Sequence, residues 1–275
     1  MTPPIVERFV EWAQEREDVR AALLVGSRAR METPADEFSD FDIVVLAREP
    51  DPLLDDASWV AELGDPAITF VEPTPIGGLR ERRVLYRDGI DVDFAVAPTG
   101  HVEELLDRGA STVVARGVRV LVDKDGLVAP LLDLPRRVSP SPTAEDLREA
   151  ISDFWYHAVW IARKLRRGEL FVAKCGCDGY LKALVLRMLE WHASGRDTWH
   201  GGRFLEQWAD PRALAALRHS YAYYEPEDVA RALGETMDLF AWLARETCER
   251  FAVAYPDDEE SFARELVRTV LSRSA

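Results

Sequence analysis

Residues 23–46, LLVGSRARMETPADEFSDFDIVVL, set two apolar runs around a polar loop, and the second run begins with Asp40 and Asp42. In a β-strand, residues i and i+2 face the same side. The two carboxylates therefore project together from the start of a strand whose other residues are apolar. The run before the loop, VRAALLVG (19–26), is ended by Gly26, with Ser27 next, and reads as a short buried strand.

A second segment repeats the pattern. GIDVDF places Asp91 and Asp93 on one strand face. If the two strands are neighbours, about 4.8 Å apart, three or four carboxylates converge. Two like charges 4 Å apart repel by about 4 kcal/mol at an effective dielectric of 20. Such a cluster needs protons, basic partners or a metal. All-oxygen ligands suit Mg2+, which binds through one or two carboxylates together with substrate phosphates.

The remaining pattern supplies the frame. Residues 4–17 read as a helix with Ile5, Phe9, Trp12 and Ala13 on one stripe. Strands are expected at 41–47, 67–72, 81–89, 90–97 and 117–126, with a helix at 100–108. Asp88-Gly89 is a hairpin signal. The segment DLPRRVSPSPTAED (133–146) marks a linker, and Thr143 followed by Asp146 suits a helix N-terminus. Beyond it the pattern is helical, at about 144–167, 170–194, 202–208, 211–222, 226–252 and 258–273. The expected class is α+β: a mixed-sheet domain over 1–135 and an all-helical domain over 143–275.

Composition narrows the partners. The formal net charge is −15, which argues against tracking a nucleic-acid backbone and is compatible with a cationic small molecule. No apolar run approaches the ~20 residues of a membrane span. The N-terminus does not read as a signal peptide. Cys175, Cys177 and Cys248 lack zinc or disulfide spacing and read as free thiols in a reducing cytoplasm. The five histidines are scattered without metal spacing.

Glycine lets a backbone turn tightly against a ligand, and the amides and hydroxyl of Gly26-Ser27 can hold phosphate oxygens. Arg28 and Arg30 would add positive charge beside a polyphosphate. GSRAR…DEFSDFDI resembles the aminoglycoside 6-adenylyltransferases (streptomycin adenylyltransferases) of the polymerase-beta-like nucleotidyltransferase superfamily. Phe41 stands where that family has tyrosine, and Asp93 best matches its third acid. DFWYHAVWIARKLRRGEL (153–170) and LVLRMLEWH (184–192) extend the resemblance into the helical half.

The resemblance implies a nucleotidyltransferase domain followed by a helical substrate-binding domain. Mg2+ would sit on Asp40 and Asp42, with Asp93 also within reach, and ATP would be the co-substrate. Gly26, Ser27 and Arg28 would serve its phosphates. Asp93 would take the proton from the attacking hydroxyl. Asp91 stands beside it as a supporting group, as the base itself, or as a solvated strand residue. The acceptor implied is a cationic aminoglycoside. Candidates to contact it are Trp155, Asp178, Glu190 and Trp191. Each also has a plain structural reading: core tryptophans, a helix cap near Gly179, and a Glu190–Arg187 pair.

Three alternatives stand beside this reading. The same fold can serve another acceptor, such as a lincosamide, a metabolite or a protein hydroxyl. An antibiotic phosphotransferase needs a His-x-Asp loop, and no histidine here has aspartate two residues on. A binding module on a decayed enzyme fold would be expected to have lost an acid, yet Asp40, Asp42 and Asp93 are all present.

Overall fold

The computed structural model describes residues 3–30, 33, 35–74, 78–102, 116–132, 141–194, 198 and 200–272. Most of the expected helix at 100–108 and of the 133–146 linker falls outside them. The chain divides into two compact units, 1–137 and 138–275.

The first unit contains α1 (Pro4–Glu15), β1 (Val19–Val25), β2 (Phe41–Ala47), α2 (Asp51–Asp55), α3 (Val60–Leu63), β3 (Pro66–Pro73), β4 (Arg80–Tyr86), β5 (Asp91–Pro98), β6 (Arg119–Asp123) and α4 (Ala129–Leu132). The strands form one sheet in the order β3-β4-β5-β2-β1-β6. The β2–β5 pair is parallel and the other pairs are antiparallel. Alternation along each strand assigns its faces. Leu24, Phe41, Ile43, Val45, Val84, Tyr86, Val92 and Phe94 pack with the apolar stripe of α1 and with Leu53, Trp59 and Leu63. Aromatic rings tie this core together, with Trp12 stacked on Trp59 at 4.6 Å and Phe94 edge-on to Trp59 at 4.9 Å.

Arg82 belongs to this covered face. Its buried guanidinium donates to the carbonyls of Leu53 and Leu54 and to Thr69 Oγ1. It thus satisfies acceptors that α2 leaves at its end. On the opposite face, Ala21, Leu23, Val25, Leu46 and Ala97 form a smaller apolar cluster with Val102 and Val128. That cluster stops at β2 and β5. Asp42, Asp91, Asp93, Arg83 and Glu81 occupy the adjoining stretch of the same face, as the register dictates.

The second unit is helical: α5 (Ala144–Arg166), α6 (Leu170–Cys175), α7 (Leu181–His192), α8 (Leu205–Trp208), α9 (Pro211–His219), α10 (Pro226–Arg250) and α11 (Asp257–Ser272). Thr143 and Asp146 form a reciprocal capping box at the start of α5. Phe154 stacks on Phe240 at 3.7 Å in the centre of the unit. The segment read as one helix over 170–194 is interrupted by a π-helical turn, Gly176–Tyr180. A Cβ on Gly176 would lie 2.8 Å from Ile161 Cγ1, so only glycine lets this turn approach α5 so closely. Among the described residues, no helix is long and apolar enough to cross a membrane.

Candidate active site

The site is built where β1 ends. Gly26 has φ +66°, and Gly26–Arg28 forms a single 3-10 turn whose first carbonyl accepts from Ala29 and Arg30. Val25 pairs with Asp42 on β2, and Asp42 pairs with Asp93 on β5. This register places a carboxylate on each of two adjacent strands beside the turn, and Asp40 immediately precedes β2. One oxygen from each of Asp40, Asp42 and Asp93 lies within 4.8 Å of the other two.

Asp93 is 5% exposed, and its Oδ1 is buried without a hydrogen-bond partner. Its Oδ2 pairs with Arg83 Nη1 at 3.1 Å. Burial pushes the Asp93 carboxyl up to about 7. Arg83 opposes that shift, while Glu81, Asp91 and Asp40 reinforce it. Asp91 is also raised, by burial first and then by Asp40. Asp91 is exposed at the strand's start and lies outside the three-carboxylate group.

Arg83 pairs with Glu81 at 3.1 Å and through its Nε with Glu72. Burial pushes the Glu81 carboxyl up, against the pull of Arg83. For Arg83 itself, burial works against the charge, but Asp93, Glu81 and Glu72 outweigh it and raise its pKa.

Ser27 is 8% exposed, and its Oγ is buried without a partner. With Arg28, Arg30 and Arg119, it lines a cavity of about 170 Å³. Arg28, which shares this cavity with Ser27, is also bound by the chain itself. Its guanidinium donates to the carbonyls of Ser39 and Asp40 and lies 3.9 Å from the Phe41 ring. It holds the loop that delivers Asp40. These carbonyls precede the strand and its ladder, and the planar fork of arginine supplies the donors they need.

The helical-unit candidates separate. Trp155 is 2% exposed, and its indole donates to the Tyr255 hydroxyl at 3.1 Å, so it is a core residue and not a ligand surface. Asp178 lies inside the π-helical turn, where Lys174 donates to its Oδ2. It therefore does not cap a helix near Gly179. Buried Lys182 stands 4.0 Å from Asp178 and donates to Cys177 O, Ser220 O and Thr236 Oγ1. Glu190 is half-buried, and burial raises its pKa against the pull of Arg187. Trp191 lines a cleft of about 400 Å³ with Asp146, Glu149, Ala150, Asp153 and Arg187. The acids of this cleft recur along α5 at helical spacing, a signal present in the sequence but not singled out there.

The sequence profile described as streptomycin adenylyltransferase matches residues 2–270. The aminoglycoside 6-adenylyltransferase of Bacillus subtilis (strain 168) is 21% identical, with 94% of each chain covered. The one from Campylobacter jejuni is 21% identical, over 96% of this chain and 94% of its own. The crystal structure of an aminoglycoside 6-adenyltransferase from Bacillus subtilis aligns over 99% of this chain and 100% of its own, at 18% identity and a TM-score of 0.47.

Proposed function

We propose that this chain, which belongs to the streptomycin adenylyltransferase family, transfers AMP from ATP to a hydroxyl of a streptomycin-like aminoglycoside and releases pyrophosphate. The observation that carries the reading is the convergence of Asp40, Asp42 and Asp93 beside the Gly26–Ser27 turn. The residues fit a divalent cation. Asp93 presents a buried, unpartnered oxygen, and the donor set is all carboxylate. Asp40, Asp42 and Asp93 would hold Mg2+. Bound there, it supplies positive charge against the triphosphate and the charge developing on the leaving group.

Gly26 and Ser27 take the phosphate end of ATP, through the turn's amides and the Ser27 hydroxyl. Asp93 accepts the proton of the acceptor hydroxyl as that oxygen attacks the α-phosphorus. The new P–O bond forms in line with the bond to the bridging oxygen, which breaks, and pyrophosphate leaves with the electron pair. Asp91 is the alternative base. The acceptor's cationic groups match the acids of the Trp191 cleft, with the indole as a flat surface against a sugar ring and Glu190 nearby in sequence. The overall charge of −15 favours approach of a polycation.

The test is pyrophosphate release with Mg2+ and ATP against streptomycin, other aminoglycosides and a lincosamide, with mass analysis of the product. Streptomycin-dependent release and a product heavier by one AMP are expected. Release with none of them, in a protein that binds Mg2+ and ATP, moves the acceptor to another class. A protein that binds no nucleotide overturns the reading.

A pH dependence follows from Asp93. Its folded pKa, about 7, lies above the ordinary 3.8. Between those values the unfolded chain has released a proton that the folded chain still holds, so metal-free stability falls as pH rises through this window. Above 7 the carboxylate is free for a cation. Below it, proton and metal compete, and affinity drops by up to about tenfold per pH unit. Melting experiments should therefore show a larger stabilisation by Mg2+ with ATP near pH 8 than near pH 6. An equal shift at both would remove Asp93 from the ligand set.

A further inference from the structure

The adjacent Arg82 and Arg83 of RERRVLY point to opposite faces of β4. Arg82 is used up in the core by carbonyls of α2, whereas Arg83 faces the acids. Its guanidinium is gripped from three strands: by Glu72 on β3, by Glu81 on β4 and by Asp93 on β5. Glu81 is itself buried, which fixes one arm of the grip. Only one of the two Asp93 oxygens is engaged. Nη1 of Arg83 lies 3.1 Å from Oδ2, while the buried Oδ1 has no hydrogen-bond partner.

We propose that Arg83 is a positioning residue for nucleotidyl transfer, locking Asp93 by its Oδ2 so that Oδ1 is the oxygen offered to the cation shared with Asp40 and Asp42. The inference rests on the reading of this cluster as a metal-dependent transferase site. A carboxylate on a short stem rotates freely about its last bond unless something holds one oxygen. The planar fork of arginine does this, because its donors are fixed relative to each other. The two glutamates in turn hold the fork.

Read at a pH high enough that Mn2+ affinity no longer changes with pH, so that loss of Arg83 cannot act by protonating Asp93, the sign of the effect separates positioning from simple electrostatics. Removing Arg83 makes the site more negative. On charge alone, a divalent cation would then bind more tightly. If Arg83 positions Asp93, the cation binds more weakly, because the third carboxylate loses its fixed orientation. Groups that orient metal ligands typically change affinity or activity by about 10- to 100-fold when removed.

The experiment titrates Mn2+, read by electron paramagnetic resonance, in the presence of a non-hydrolysable ATP analogue. Wild type, Arg83→Met and Arg83→Lys are compared, each also in an Asp93→Asn background, with circular dichroism as the control of folding. Arg83→Met should weaken Mn2+ binding by about 10- to 100-fold and lower kcat. Arg83→Lys should recover part of both, since one ammonium reaches Asp93 without spanning all three acids. In the Asp93→Asn background, replacing Arg83 should no longer weaken Mn2+ binding, because the group through which it positions a ligand is gone. Tighter or unchanged Mn2+ binding in Arg83→Met overturns the inference, as does an equal loss in both backgrounds. If Arg83→Met does not fold, the same comparison is made with Arg83→Lys alone, where a loss that persists in the Asp93→Asn background overturns it. A wild-type protein that binds no Mn2+ overturns the transferase reading and the inference together; wild-type binding with an unaffected variant overturns the inference alone.

Discussion

Asp42→Asn should lower adenylyl transfer by on the order of 1,000-fold and leave the metal-free protein at least as stable as wild type. Asparagine keeps the size of the side chain, so its fit beside Gly26 and the β2 register survive. What changes is the charge. Asp42 sits opposite Asp93 on the adjoining strand and shares the cluster with Asp40. Like charges about 4 Å apart repel by about 4 kcal/mol at an effective dielectric of 20. Taking one away relieves part of that repulsion in the metal-free state. With a cation bound, the same change removes an attraction of similar size, and about 4 kcal/mol of lost transition-state stabilisation is roughly 1,000-fold in rate. A stabilising charge and a catalytic charge thus predict opposite melting behaviour. Rate and thermal midpoint measured together decide the case. Full activity would remove Asp42 from the metal site. A midpoint lowered by more than about 4 °C, equivalent to over 1 kcal/mol in a chain of this size, would make it a structural residue.

The acids were legible because their signal is local. Period-two spacing and apolar neighbours assign the face of Asp40, Asp42, Asp91 and Asp93 without knowledge of the rest of the fold. Separating Asp93 from Asp91 required register. Asp93 lies opposite Asp42, whereas Asp91 falls one pair outside, at the exposed start of β5. The role of Arg83 was hidden for a related reason. Asp88-Gly89 signals a hairpin between the two strands, but a hairpin signal alone does not say whether Arg83 falls opposite Asp93 or opposite Phe94. The structure has the three-residue loop 87–89, with Tyr86 N–H donating to Ile90 O at 2.8 Å and Gly89 at φ +86°. That loop length pairs Arg83 with Asp93. A slip of one residue flips every side chain to the other face, so the ion pair depends on the register and not on the strand segments alone.

The helical unit shows the opposite limit. Its helix boundaries follow from apolar period and capping, as Thr143 and Asp146 illustrate. Which tryptophan lines a cleft does not. Trp155 and Trp191 both sit at helical spacing in aromatic segments, yet one donates to Tyr255 inside the core and the other lines an acidic cleft. The difference comes from how the helices pack around them, which a single-helix pattern does not encode. The π-helical turn was equally illegible. It depends on Gly176 meeting Ile161 from another helix, and Asp178 is drawn to Lys174 within it. The carbonyl contacts of Arg28 were no more legible. In sequence an arginine beside Gly-Ser suggests phosphate, but the chain between the turn and β2 offers acceptors closer at hand.

Gly26→Ala should be nearly as damaging to transfer as Asp42→Asn, and unlike it should also destabilise the fold. Gly26 adopts φ +66°, a conformation that costs an L-residue roughly 1–2 kcal/mol. A Cβ built there would lie 1.8 Å from Asp42 Oδ2 and 2.7 Å from its Cγ. Both cannot be accommodated, so either the turn moves or Asp42 swings away. The turn is pinned by the bonds from Ala29 and Arg30 to Gly26 O, which favours displacement of the side chain. Asp42 then leaves the cluster, and the loss approaches that of removing its charge. The double variant tests the route. If alanine acts by displacing Asp42, adding Gly26→Ala to Asp42→Asn lowers activity little further, while the conformational cost remains visible in the melting temperature. If the two losses multiply, the glycine serves transfer by a second path, through the amides and hydroxyl of the turn that meet the phosphates.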